Sequence, residues 1–536
     1  MASLIVAGDT SGSVTLSAPA VAGTTTITLP SSSGTMALTS GATAFTNLTV
    51  TNDASISGLT VGKGAGSVST NTVVGASALA ANTTGAWNVA IGSNAAASNT
   101  SGSGVVAIGH NVLYANTTGT GNTGIGSYEG STFSALRYNT TGNYNTALGT
   151  AALANNTTAS NNTAVGYQAA YSNTTGDVLT AVGYKALYSN TTGIENTAVG
   201  QDALGLNTTG AYNTGIGVGA GKSTTTGNRN TSLGWLALHL NTTASTNTAI
   251  GYQAGYTNQT GAEFVAVGYQ ALYYNTGSYS TAVGNQALRS NTTGANAAFG
   301  QFTLYANTTG TGNAAFGGYP GSGSQTMVNN TTGSYNSAFG MGALAANTTA
   351  YNNTAVGYQA LYNSNRTADT SANNTAIGYS AGVNISTGQN NVCLGYNSGT
   401  DALVNITTGS NNVVLGNTST ATLYCKTSTI TTSDIRDKTN IRPITLGLDF
   451  VTTIQPIAYQ FKTSREDDTP ASRIYLGWSA QDVMANQGTE TIVDDHDPDN
   501  LKMAGMDMVA VLWKAVQDLK QIVDAQATEI AELKGK

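Results

Sequence analysis

Between about residues 66 and 430 the chain repeats one short pattern of apolar and polar positions. Gly166, Gly183, Gly200, Gly217, Gly234, Gly251 and Gly268 recur every 17 residues, and the series continues back to Gly75 and forward to Gly416. A few intervals of 16, 21 or 23 mark one-residue deletions and four- or six-residue insertions. One unit reads Asn162-Thr-Ala-Val-Gly-Tyr-Gln-Ala-Ala-Tyr-Ser-Asn-Thr-Thr-Gly176, followed by two variable residues. Thr163 and Val165 sit two apart, the strand period, so this side reads as apolar and stiff while Ala164 points to the opposite face. Asn-Thr-Thr-Gly is turn chemistry, because Asn and Gly tolerate φ > 0. A strand, a turn, a short second strand and another turn predict one coil of a parallel β-solenoid. No coil buries its Val alone, but stacked coils share a continuous core. At a strand spacing of about 4.8 Å, some twenty coils give a shaft of roughly 95 Å.

The pattern differs at both ends. Residues 1–65 are rich in Thr, Ser and Gly, with short alternating runs at Thr25–Leu29, Asn47–Val50 and Ile56–Val61. These predict strands that need partner chains, as an attachment or connector segment would. From 431 to 536 the chain reads as an ordinary small α+β domain whose last stretch, about 505–536, is a heptad-patterned helix. Val509, Val516, Val523 and Ile530 fall at a, with Leu512, Leu519, Gln526 and Leu533 at d. In isolated coiled coils β-branched a with Leu at d favours dimers. The fold class expected is therefore mainly β: a solenoid shaft followed by an α+β domain ending in a coiled coil.

Charge sharpens the division. Before Thr431 there are 8 Lys+Arg and 9 Asp+Glu, so that of 19 and 26 in the whole chain the short C-terminal part holds 11 and 17. A net charge of −7 argues against a nucleic-acid partner. Met1–Thr10 has no basic n-region, and no apolar run is long enough to span a bilayer, so neither secretion nor membrane insertion is expected. Cys393 and Cys425 offer no disulfide framework, which fits a reducing cytoplasm.

Several features invite a chemical reading and have a plainer one. The many Asn-Thr-Thr triplets match N-glycosylation acceptors, but an Asn-lined turn repeated down one edge explains them. Tyr167, Tyr184, Tyr252, Tyr269 and Tyr358 form a candidate sugar-gripping ladder, and more simply a stacked structural one. Cys393 occupies the small-residue slot of Ala355 and Ala376 and reads as packing. Asp494, Asp495, Asp497 and Asp499 read as a solvated loop rather than a cation site. His110, His239 and His496 form no ligand spacing, so neither metal nor cofactor is expected.

The Ala-Val-Gly or Ala-Ile-Gly signature, with a second Ala three residues on, resembles the head repeat of trimeric autotransporter adhesins, which are left-handed β-rolls. The unit here is longer. Ser433-Asp-Ile-Arg-Asp-Lys-Thr-Asn-Ile-Arg-Pro-Ile444, Pro456-Ile-Ala-Tyr-Gln-Phe461 and Leu476-Gly-Trp-Ser-Ala-Gln-Asp-Val483 closely resemble the endosialidase-type intramolecular chaperone domain of phage tail spikes and fibres. The resemblance covers about Ser433 to Lys536, departing modestly at Trp478 and Ser479. It implies a domain that trimerises, guides folding of the preceding fibre and then cuts itself off. The matching residues are Ser433 as nucleophile and Lys438 as base, with the scissile bond between Ser433 and Asp434. A lysine with an ordinary pKa of about 10.4 serves as base only when burial or a nearby cation depresses it. Arg436 supplies such a cation, or pairs with Asp434 or Asp437.

The leading expectation is a homotrimeric phage tail fibre, assembled in the host cytoplasm and carried on the virion. Its partners would be other tail or baseplate proteins and a host surface receptor or glycan. A depolymerising tail spike and a bacterial trimeric surface adhesin are the alternatives. Apart from the single self-cleavage no enzyme activity is expected, since the acids of the shaft are few and scattered.

Overall fold

The computed structural model describes residues 53–56, 59–127, 133–318, 325–365, 371–402, 404–420, 442–460, 462, 470, 474–487, 492–494, 502–503 and 505–535. Ser433, Asp434, Arg436, Asp437 and Lys438 lie outside them, as do the runs at Thr25–Leu29 and Asn47–Val50. So do Asp495, Asp497, Asp499, His496 and Cys425.

The fold is a mainly β parallel solenoid. A short antiparallel hairpin, β1 (Ala54–Ile56) and β2 (Leu59–Gly62), hands over antiparallel to β3 (Thr72–Val74). From β3 to β22 (Val413–Leu415) twenty three-residue strands stack parallel, one per coil. The register never slips: Thr180 pairs Thr163 and Thr197, Ala181 pairs Ala164 and Ala198, Val182 pairs Val165 and Val199.

The expected second strand is absent, and turns complete the coil among the described residues. Coil-to-coil bonding nevertheless continues around the ring, as where Leu187 N–H donates to Ala203 O at 3.0 Å and Thr191 N–H to Thr208 O at 2.9 Å. The left-handed residues also differ from expectation. They are not in Asn173–Gly176 but at Asn161 (φ 61°), Gln168 (56°) and Ala170 (50°), with Gly166 at φ 133°. A Cβ on Gly166 would meet Gly183 O at 2.5 Å, so this column admits no side chain.

The strand faces the opposite way from the sequence expectation. Ala164 is fully buried, whereas Val165 is only half-buried and lies on the outer surface. Coil width is the reason: seventeen residues enclose a narrow interior that holds Ala164, Ala169 and a Leu or Ala at position 170, and a valine takes the inward strand slot only at the end coils, as Val73 and Val414. Where Val112 replaces the second alanine, the facing strand position becomes Gly124, and a methyl there would meet Val112 Cγ1 at 2.7 Å. Ala on the strand therefore fills the coil interior and is not a surface for packing coils of other chains.

The asparagines also turn inward rather than lining an outer edge. Asn173 Nδ2 donates to Asn156 Oδ1 at 3.0 Å and to Gly176 O at 2.9 Å, and its Oδ1 accepts from Asn190 at 2.9 Å. Asn162 Nδ2 donates to Gly176 O at 3.0 Å while its Oδ1 accepts the Leu179 N–H at 2.7 Å. Turn carbonyls aimed inside the coil need donors, and a primary amide supplies two with an acceptor for the next coil. With Asn173, Asn190 and Asn207 fully buried, the repeated Asn-Thr-Thr triplets offer no accessible acceptor in the folded shaft. Cys393 is likewise buried, between Ala376 and Val414 in the strand column, and burial pushes its thiol up to about 11.

After the shaft come α1 (Leu448–Thr453), a hairpin of β23 (Ile457–Tyr459) and β24 (Tyr475–Gly477), and α2 (Ala480–Asn486). A two-residue pair, β25 (Val493–Asp494) with β26 (Lys502–Met503), leads into the 30-residue helix α3 (Gly505–Lys534). Phe450, Ile454, Val483, Ile492, Val493, Met508 and Val511 form the core.

Candidate functional site

The C-terminal domain is built around two adjacent stripes of α3. Met508, Val511 and Ala515 are buried, the first two in the core with Phe450 of α1 and Ile454 just after it. One turn further on, Asp518 takes over from apolar packing: its Oδ2 accepts the Leu448 N–H at 3.1 Å, and Oδ1 pairs with Lys514. These two bonds, Lys514 first, hold the Asp518 carboxyl below the usual range. The second stripe is displaced by one residue. Leu512 is half-buried, while Val509, Val516, Leu519, Val523, Gln526, Ile530 and Leu533 are exposed. Intrachain packing thus consumes one face of the helix and leaves the heptad face free.

The rest of the domain is equally open. Ile474 is 65% exposed and Leu476 84%, both at the hairpin. Gln487, buried, accepts the N–H groups of Ile492 and Val493 at 2.9 Å each, fixing the chain that enters β25. The two departures from the expected motif have local reasons. Ser479 caps α2, its Oγ accepting the Asp482 N–H at 3.3 Å, and Trp478 packs against the core. No described helix is long and apolar enough to cross a membrane, and no group of His, Cys, Asp and Glu among the described residues is placed to hold a metal ion.

The shaft presents three outer columns. The first is the apolar strand face: Ile91, Leu148, Leu233, Phe339, Ile377 and Leu415 are each more than a third exposed. Phe299, Phe316 and Phe339 stack within it at 4.6 and 4.7 Å. Single exposed apolar side chains are ordinary, whereas a continuous column marks a contact surface.

The second column is the tyrosine ladder, which the structure forms as stacked rings. Tyr167 lies 5.5 Å from Tyr184, Tyr252 5.1 Å from Tyr269, and Tyr358 4.9 Å from Tyr379, with planes within 14° of parallel. Stacking along the fibre axis covers ring faces and leaves edges to solvent, so ladder interiors are poor platforms for a sugar face.

The third column is the corner residue immediately before the residue that leads into each strand, which the sequence pattern treats as variable. Trp87, Tyr144, Tyr212, Tyr279 and Tyr335 stand there, between 45 and 70% exposed. Their common offset from the strand glycine is the signal by which the sequence alone could have shown them.

Residues 433–490 match the family model described as the chaperone of endosialidase. No curated protein and no solved structure matches the chain.

Proposed function

We propose that this chain is the subunit of a homotrimeric tail fibre of a phage virion, made as a precursor. In this reading its C-terminal domain aligns three chains, promotes folding of the shaft, and releases itself by cutting between Ser433 and Asp434. The observation that carries the reading is the family match, which begins at Ser433, the residue assigned as nucleophile. Two structural features support it: the heptad face of α3 left free by its own domain, and the apolar column along the strands.

The shaft explains why such a domain is needed. Coils differ so little that three chains slipped by one unit would make nearly the same contacts, which leaves a small energy gap against misregister. Parallel pairing between distant segments is slow and exposes edges meanwhile. A domain that joins the chains at one end sets the register before the shaft closes. Its removal leaves a fibre that cannot retrace its path and is held kinetically.

In the cutting step Lys438 takes the hydroxyl proton of Ser433, the serine oxygen attacks the carbonyl of the Ser433–Asp434 bond, the proton passes to the departing Asp434 amine, and water hydrolyses the resulting ester. A neutral amine is required, which in this reading ties the cut to assembly of the chains. Arg436 contributes a neighbouring cation or, with Asp434 and Asp437, an ion pair that positions the loop. The N-terminal segment meets other tail or baseplate proteins, and the shaft meets the host surface. Expression of wild type, Ser433→Ala and Lys438→Ala, followed by a denaturing gel, tests the proposal. Wild type is expected as two pieces and both variants as one; a single uncut band for all three would sink the cleavage claim.

A further inference from the structure

The corner residue of the coils, apart from Thr70 and Ala295, is held in the left-handed region. Asn161, Asn352 and Asn373 have φ of 61°, 60° and 50°, and Gly104, Gly121 and Gly312 have 65°, 67° and 68°. Asn and Gly accept this conformation at little cost. Trp87 (φ 56°), Tyr144 (54°), Tyr212 (61°), Tyr279 (63°) and Tyr335 (57°) do not belong there on conformational grounds. A left-handed backbone is costly for a bulky residue.

At the inward left-handed position of the coil that cost is offset by burial, whereas at the corner it is not, and Val178 (φ 59°, 53% exposed) carries it as well. Leu187, Leu204 and Leu272, at φ of 51°, 49° and 51°, are at most 1% exposed. The corner aromatics are 70, 63, 45, 67 and 64% exposed in chain order. Exposed Val178 and Thr246 share this backbone, so what sets the five aromatics apart is the large ring each presents to solvent at a regular spacing.

Their placement is ordered. They precede the strands beginning at Val89, Thr146, Thr214, Thr281 and Ser337, so successive rings are three, four, four and three coils apart. At about 4.8 Å per coil this is roughly 14 to 19 Å. Tyr144 and Tyr335 rest against Gly121 and Gly312 of the coil before, where a Cβ would come within 2.7 Å of each ring. Among the described residues none of the five stacks on another aromatic ring, in contrast to the tyrosine ladder, and only Tyr212 has a cation over its ring, the Arg229 guanidinium at 5.5 Å.

We propose that this row is a binding strip for an extended, uncharged polysaccharide laid along the shaft; the inference rests on reading the chain as a fibre that meets a cell surface. The C–H face of a pyranose carries partial positive charge and packs on the negative face of an aromatic ring. Intervening corners supply hydroxyl and amide groups, as at Asn161 and Thr246. The charges of the row, Glu195, Arg229 and Glu263, nearly cancel and select no anionic chain. A second copy of this chain is the poorer occupant. Copies packed side by side about an axis along the shaft touch at every coil, as the strand-face column allows, whereas this row skips two or three coils between rings.

The test uses the full chain and a variant in which all five aromatics become Asn, the residue other coils already carry at this corner. Affinity electrophoresis through gels containing dextran, mannan, galactan or a β-glucan is expected to retard wild type in at least one. The five-Asn variant should bind that polysaccharide at least tenfold more weakly while its Tm stays equal or rises. A Tyr167→Ala, Tyr184→Ala ladder variant should be retarded like wild type. Undiminished binding by the five-Asn variant overturns the proposal. So does failure of wild type to bind any of the four, a lower Tm that marks the rings as structural, or a changed sedimentation coefficient that marks an interface between copies. Cleavage after Ser433, read on the same samples by denaturing gel, reports separately on the fibre-and-chaperone reading.

Discussion

Asn207 ends a buried amide ladder because Thr224 stands where the next coil would place an asparagine. Its Nδ2 donates to Asn190 Oδ1 at 2.8 Å, but its own Oδ1 is buried and meets no donor. Asn347, followed by Ser364 in the same column, shows the same orphan acceptor. An unmet buried acceptor costs about 1–3 kcal/mol. Thr224→Asn should therefore stabilise coils around residues 207–241 by about 1 kcal/mol. Slower amide hydrogen exchange confined to those coils is the expected readout, since each coil contacts only its neighbours. Unchanged or faster exchange would show that the ladder contributes nothing there.

The glycine column gives the opposite sign. In Gly183→Ala the new methyl would meet Gly200 O at 2.6 Å, at a backbone with φ 134°. Relief requires separating two coils, so a loss of 3 kcal/mol or more is expected, at the severe end for one substitution. Loss of soluble shaft, or a Tm many degrees lower, checks it; a variant that melts like wild type contradicts the stacking geometry.

Acid should loosen the α1–α3 contact. The Asp518 carboxyl is held low by Lys514 and by the Leu448 N–H. A group depressed in the folded state stabilises above its unfolded pKa, about 3.9 for Asp, and loses that contribution as pH falls through the folded value. Wild type should therefore lose C-terminal domain stability on acidification below about pH 4 more steeply than Asp518→Asn. Parallel melting curves over that range would remove the role assigned to this pair.

The two stripes of α3 should separate by mutation. Val516→Asp, on the exposed stripe, is expected to leave the domain's melting temperature near wild type while lowering the sedimentation coefficient and blocking cleavage. Val511→Ala, in the core, should cost roughly 1–2 kcal/mol of domain stability and leave assembly intact. If Val516→Asp assembles and is cut normally, the free face of α3 has no part in joining chains.

The sequence made the coil period, the strand site and the long terminal helix legible, because glycine spacing and heptads are one-dimensional signals. It did not show which side of the strand faces inward. Val165 looks like core and Ala164 like surface until the coil's width is known, and that width is a property of closure rather than pattern. The inward asparagines were hidden for a related reason: Asn-Thr-Thr-Gly is the vocabulary of exposed turns, and here its Asn and Gly face the interior while its second Thr stays exposed. Likewise, nothing local predicts Leu187 at φ 51°, which is tolerated because the stacked coils bury it. In the C-terminal domain the Ser433 motif was plain from residue order alone, while the division of α3 into two stripes needed the position of α1.

The most direct measurement is the intact mass of the purified assembly of wild type and Ser433→Ala, paired with sedimentation. Wild type should give a shaft ending at Ser433, a separate fragment beginning at Asp434, and three shaft chains per particle. Ser433→Ala should give three full-length chains. A wild-type assembly of full-length chains only, or a monomeric shaft, would contradict the proposed self-cleaving, trimeric fibre.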